Sequence, residues 1–275
     1  MKAIYNSRTT EEENIQIKTD NRGFCYGDGL FETIVTGPHR INLVERHIDR
    51  LKRHASILAI ELNDTFCTSL ANEIEELKND NQITKDCRTK VTIWRKPGGL
   101  YGSKQTDFDY IITQKETEKP VIAFKNEIGI SSKVKNHYSS HSCIKSLNAL
   151  DYVIAGNEMI ERELDELIIL DQEGNLSETH IGNLFWVKDR EIYTPSLSTG
   201  CIDGIMRNFI IEFFKNQLMA VNILEAKAYE LEFADSIIST NASGLTYFKR
   251  LEGRNNELCT SEENFEELIK RLQQP

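Results

Sequence analysis

The 275-residue sequence has no apolar run approaching the roughly 18 residues of a membrane-spanning helix, so no membrane role is expected. Its six cysteines, at positions 25, 67, 87, 143, 201 and 259, include no CxxC pair. That scatter signals neither a zinc site nor a small disulfide scaffold, and free thiols are expected. Runs of lysine and arginine are also missing, and a formal net charge of -10 would repel a phosphate backbone, so nucleic acid is not an expected partner. The opening residues, MKAIYNSRTTEEEN, have no apolar segment and carry three consecutive glutamates, which argues against a secretory signal or transit peptide. A cytoplasmic protein is the expectation. What remains, at 39% hydrophobic and 28% charged residues, is an ordinary globular composition long enough for one large domain or two modest ones.

The first third reads as short strands at 2–6, 15–19 and 30–36, separated by turn-rich segments such as TDNRG and YGDG. A helix follows, because Val44, Ile48, Leu51, Ala55 and Leu58 recur at spacings of four, three, four and three, one buried stripe. A weaker helix is expected around 64–79. Strands at 88–95 and 108–114 flank a glycine-rich loop, KPGGLYGSK. KETEKP, 115–120, is charged and ends in proline, the expected linker between a smaller N-terminal α+β domain, 1–114, and a larger C-terminal domain, 121–275. Beyond it, strands are expected near 120–130, 166–170, 184–188, 191–193, 219–224 and 235–239. Helices are expected near 148–163, 204–217 and 261–273.

Within HSCIKSLNAL, Lys145 follows an apolar Cys-Ile pair and precedes a helix. Lysines usually occupy solvated faces, so this placement fits an amine nucleophile able to form a Schiff base with a carbonyl cofactor. If that cofactor is pyridoxal phosphate, it needs a carboxylate facing its pyridine nitrogen and a cradle for its phosphate. Glu178 in NLSETHIGNLFWV is the carboxylate candidate, against a plain loop glutamate. Gly204, Ile205 and Met206 open a helix whose unpaired amides and dipole favour an anion, against an ordinary helix start capped by Asp203. Thr240 and Asn241, at the end of an apolar strand, are further donors or a strand-ending turn. Arg50 borders the apolar stripe of its helix, either a counter-charge for phosphate or a snorkelling surface arginine. His47 and His54 lie seven apart, not the three or four a helical metal pair needs, so no metal site is expected and they read as core-edge packing. GDG at 27–29 is no nucleotide fingerprint.

Together these residues resemble the class IV aminotransferases of the D-amino-acid transaminase-like fold. The resemblance rests on RGFCYGDGLFET (22–33), ERHIDRL (45–51), IKSLN (144–148), LSETHIGNLFWV (176–187), GIMR (204–207) and STNASG (239–244), in the family's order. It implies an α+β fold of two domains with pyridoxal 5'-phosphate between them, and a homodimer whose partner subunit helps close each site. By the same resemblance Lys145 is the Schiff-base lysine and catalytic base, Glu178 the ring-nitrogen partner and Arg50 a phosphate ligand. Ile205, Met206, Thr240 and Asn241 match the other phosphate positions.

Departures from pattern separate the branches. Leu150 stands five residues after Lys145, where branched-chain aminotransferases typically place a tyrosine. Phe31 replaces the tyrosine of D-amino-acid transaminases, and WRKPGGLYGSK has no Arg-x-His pair. NLFW, the YTP of 193–195, GIMR and Thr-Asn-Ala of 240–242 resemble aminodeoxychorismate lyases, implying elimination of pyruvate to leave 4-aminobenzoate for folate. The other readings are a branched-chain or D-amino-acid aminotransferase using 2-oxoglutarate and, outside catalysis, a carrier that binds the cofactor or an amine. Phe31, Arg95 and Tyr101 are the candidate substrate contacts, the last two against a solvated loop.

Overall fold

The computed structural model describes residues 1–261 and 263–274, and positions 262 and 275 of the expected second domain and its closing helix lie outside them. The chain divides into two compact units: one comprises Met1–Glu118 together with Ile144–Asn148, the other Lys119–Cys143 and Ala149–Gln273. Among the described residues no helix is long and apolar enough to cross a membrane.

The first unit is a five-stranded sheet with helices. Its strands are β1 (Lys2–Tyr5), β2 (Arg8–Glu11), β3 (Gly29–Thr36), β4 (Cys87–Arg95) and β5 (Phe108–Glu116), in the order β2-β1-β5-β4-β3. α1 (Arg22–Tyr26), α2 (Val44–Ile57) and α3 (Asp64–Asp80) complete it. β3 to β5 alternate strongly, and Ile34, Val91, Ile93 and Ile112 fill the core beneath α2 and α3 with Leu51, Leu70 and Ile74. The stripe on α2 buries Val44, Ile48, Leu51 and Ala55 as its spacing predicts, but His47, Arg50 and His54 are buried as well.

The second unit is an eight-stranded sheet. It contains β6 (Ile122–Asn136), α4 (Leu150–Glu161), β7 (Glu166–Asp171), β8 (Leu176–Thr179), β9 (Gly182–Lys188), β10 (Glu191–Pro195), α5 (Ile205–Asn216), β11 (Val221–Leu224), β12 (Ser236–Asn241), β13 (Gly244–Leu251) and α6 (Glu266–Leu272). The strand order is β11-β10-β9-β12-β13-β6-β7-β8, with β8 also pairing β9. Ile128, Ile168, Leu184, Trp186, Ile237 and Phe248 lie in its main core cluster.

Several local expectations need correction. Residues 15–19 form no strand: IQIKT alternates, but the segment is largely exposed and has no partner strand. The turn expected around TDNRG and YGDG contains α1, capped by the Asn21 side chain, which accepts from the Phe24 amide. β8 and β13 are additional strands, and β8 is buried at all four positions although it reads Leu-Ser-Glu-Thr. α5 is capped by Gly204 with no side-chain cap bond, so Asp203 is not its N-cap.

Candidate active site

In the first unit the candidate nucleophile is fixed by backbone pairing to the edge of the sheet. β3 is an edge strand, and residues 144–148 lie along it through a bridge between Leu30 and Ser146. The Phe31 amide donates to the Lys145 carbonyl at 3.1 Å and the Leu147 amide to the Gly29 carbonyl at 3.0 Å. The Lys145 amide donates to His54 Nδ1 at 3.4 Å. Glycines of the GDG motif make this approach possible. A Cβ on Gly29 would lie 2.2 Å from the Ile93 carbonyl oxygen and 2.8 Å from Leu147, and Gly27, at φ +65°, faces the Asn148 side chain.

So anchored, the Lys145 side chain reaches back over β3. Its Nζ lies 4.3 Å from the centroid of the Phe31 ring. The ammonium of Lys90, on the neighbouring strand, lies 5.1 Å from the same centroid. Lys90 has no acidic partner among the described residues, and desolvation first, then the Arg88 charge, hold its ammonium below the ordinary lysine range. An aromatic face carrying two amines is a place where an anion would be welcome.

Arg50, on α2 one turn before the His54 that meets the Lys145 amide, is no surface arginine. It is 4% exposed, and its Nε and Nη2 donate to the two carboxylate oxygens of Glu32 at 2.8 and 2.5 Å. His47 Nδ1 donates to the same carboxylate at 2.7 Å. Burial alone would raise the Glu32 carboxyl, but the Arg50 charge and His47 overcome it and hold the group down to about 2. Arg95 is likewise turned inward. It pairs with Asp28 and donates to the carbonyls of Leu58, Ala59 and Gln105. Arg22 pairs with Asp28 as well and holds the glycine-rich loop by the carbonyls of Gly98, Leu100 and Tyr101. Tyr101 itself projects outward, 87% exposed, its ring 5.5 Å from that of Tyr26.

The second unit gathers the remaining candidates around Asn183. Glu178 on β8 pairs with Asn183 on β9, and Asn183 pairs with Thr240 on β12. Asn183 Nδ2 donates to the Ile202 carbonyl at 2.8 Å, and a Cβ on Gly204 would fall on Asn183 Oδ1. The bare N-terminus of α5, with Ile205 and Met206 in its first turn, is therefore held against the strands that carry Glu178 and Thr240. Thr240 Oγ1 donates to the Gly244 carbonyl at 3.1 Å, and Asn241 Oδ1 accepts from the Ser243 amide at 2.9 Å. Glu178, 2% exposed, accepts from Tyr152 Oη at 2.7 Å, Asn136 Nδ2 at 2.9 Å and the Ile202 amide at 3.1 Å. A buried carboxylate with three donors is a satisfied anion.

Asn136, Tyr152, Asn183 and Glu32 are the residues the sequence did not single out, and His54, read there as core-edge packing, meets the Lys145 amide. Their sequence signals are weak: each is one polar residue in or beside an apolar stretch, and its role depends on side-chain partners from 15 positions away (His47 and Glu32) to 91 (Lys145 and His54). Asn183 alone had a cue, as a polar residue opening the apolar run LFWV.

The family model described as "Amino-transferase class IV" matches residues 29–250. An aminodeoxychorismate lyase of Bacillus subtilis (strain 168) is 30% identical over 244 residues, 86% of this chain and 82% of the relative. A D-alanine aminotransferase of Bacillus licheniformis is 24% identical over 257 residues, 88% of this chain and 85% of the relative. The crystal structure of a branched-chain aminotransferase from Thermoproteus uzoniensis with norvaline shares the fold, with a TM-score of 0.87 at 22% identity over 98% of this chain and 92% of that one. A solved structure with that likeness supports the α+β fold expected from the resemblance. The chain belongs to the class IV aminotransferases, a family of pyridoxal-phosphate-dependent enzymes.

Proposed function

We propose that this chain is a 4-amino-4-deoxychorismate lyase that eliminates pyruvate to form 4-aminobenzoate. The observation that carries the reading is the 30% identity to the Bacillus subtilis aminodeoxychorismate lyase over most of both chains. A structural observation agrees with it: Lys90 beside Phe31 and Lys145 offers an uncompensated positive charge to a substrate with more than one carboxylate. Phe31 supplies an apolar wall for the substrate ring, while Arg95 serves the architecture of the loop that presents Tyr101.

The chain's own groups fit pyridoxal phosphate. A primary amine stands over an aromatic ring, a buried anion is held by three donors, and a helix N-terminus begins with a residue that has no side chain to block it. Lys145 Nζ would hold the aldehyde carbon, and Glu178 the ring nitrogen. The amides of Gly204, Ile205 and Met206, with Thr240 and Asn241, would hold the phosphate, and Arg50 would add positive charge. When bound, the cofactor supplies an electrophilic carbon and an electron sink. Lys145 Nζ would be the base that takes the proton from the carbon bearing nitrogen, and it would return a proton to the departing fragment. The buried Glu178 carboxylate would favour the positively charged form of the ring nitrogen.

A homodimer is part of the same proposal; Phe24 and Leu100, 80% and 76% exposed in the single chain, support it as apolar surface in need of cover. The deciding assay follows pyruvate release from aminodeoxychorismate beside amino transfer to 2-oxoglutarate. Pyruvate release without added 2-oxoacid is expected. Transfer without elimination would make the enzyme an aminotransferase.

A further inference from the structure

Three segments converge on the Glu178 carboxylate: α4 through Tyr152, β6 through Asn136, and the approach to α5 through Ile202. Around it lie Cys201, its thiol pushed up to about 12 by burial first and the Glu178 charge second, Arg207, whose charge acts on Cys201, and Asp151 beside Tyr152. The phenol of Tyr152 is raised by burial and then by Glu178, so its proton stays on oxygen and it acts as a donor. A second carboxylate fixes two of the three segments relative to each other. Glu158, on the same helix as Tyr152, accepts from Ser131 Oγ, from the amide and hydroxyl of Ser132 and from the Lys133 amide. These are the residues where β6 loses register with β7, between Ile130 and Lys135, and Asn136 follows at once. Burial alone would raise Glu158, but these donors and Arg162 hold it down to about 2, an anion throughout the neutral range.

We propose that Tyr152 is a positioning residue for the reaction: with Asn136 and the Ile202 amide it fixes Glu178 as an anion of low proton affinity, so that the proton shared with the cofactor stays on the ring nitrogen. The inference rests on the reading of Glu178 as the ring-nitrogen partner. Each hydrogen bond to a carboxylate favours its charged form, and one from a neutral donor to an anion is among the stronger kinds. Without the Tyr152 hydroxyl, Glu178 competes better for the proton, the ring carries less positive charge and the electron sink is weaker. Glu158 acts one step further out, since it holds α4 and the end of β6 in the relation that lets both side chains reach one oxygen.

The test uses holoenzyme reconstituted with pyridoxal phosphate whose ring nitrogen is isotopically labelled, read by NMR. The wild-type signal is expected at the protonated position. Tyr152→Phe should move it toward the unprotonated position and lower kcat about tenfold, with KM and cofactor affinity within about twofold. Asn136→Ala should move the signal in the same direction, which protects the test if the first variant folds poorly. Signals from both variants at the wild-type position would overturn the inference. Glu178→Gln separates the two layers. If it alone moves the signal, the role of Tyr152 fails and that of Glu178 stands; if all three variants match wild type, both fail.

Discussion

Lys145 shows how much of a reactive side chain's behaviour is settled by its backbone. Its carbonyl and amide are each engaged, by Phe31 and His54, so the side chain leaves from a fixed point and places Nζ over one ring. Lys145→Ala should abolish both the visible chromophore of the loaded enzyme and turnover; full turnover in that variant would end its assignment as nucleophile. Glu32 offers a test on stability. Its folded value of about 2 lies below the usual carboxylate range of about 4.3, so its contribution is fully present above that range and is lost as pH falls toward 2. The stability gap between wild type and Glu32→Gln, measured by urea unfolding, should be a few kcal/mol near neutral pH, about 3 at most, and should shrink on acidification. A gap independent of pH would show that the charge on Glu32 does not matter. Lys145 and Glu178 could be named as candidates because Lys145 breaks a local expectation and both lie within distinctive motifs. Arg50 could be named but not placed: helical periodicity puts it beside the apolar stripe, and the Glu32 carboxylate that pairs with it in the interior lies 18 residues away.

At the level of elements, regular alternation was a good guide and buried polarity was not. The apolar stripe of α2 is buried as its spacing predicts, whereas Glu32 on β3 and His47, Arg50 and His54 on α2 are buried although polar. β8 is fully buried without such spacing, because Ser177 and Thr179 donate to the carbonyls of Thr199 and Gly182 and Glu178 collects its three donors. A strand buried for its hydrogen bonds leaves no apolar rhythm to read. α1 was hidden in a turn-rich segment for a related reason: its five residues are too few for periodicity, and a side-chain cap and Gly27 at its end define it. The meeting of β3 with residues 144–148 carries its own prediction. Gly29→Ala would force a methyl onto the Ile93 carbonyl and Leu147, costing about 1–3 kcal/mol by overpacking. The melting temperature should fall and cofactor retention should weaken with it; a variant as stable and as well loaded as wild type would contradict the close approach.

For the whole molecule, the notable feature is that the five residues around Lys145 are separated from the first unit by Lys119–Cys143 in sequence yet pack within it. A linear reading with a single boundary at 115–120 has no way to express that exchange, because the pairing of Ser146 with Leu30 is a long-range event. Overall composition, by contrast, bounded the molecule well: an acidic chain with scattered cysteines and no membrane-length helix among the described residues. Light scattering on the purified protein should give twice the 31.6 kDa chain mass if the proposed homodimer forms, and the single-chain mass would remove that part of the proposal.

The most direct measurement is peptide mass spectrometry after borohydride treatment of the protein loaded with pyridoxal phosphate. The cofactor's mass is expected on the peptide containing Lys145 and on no other lysine. Attachment at a different residue, or none at all in a protein that still turns over, would contradict the account.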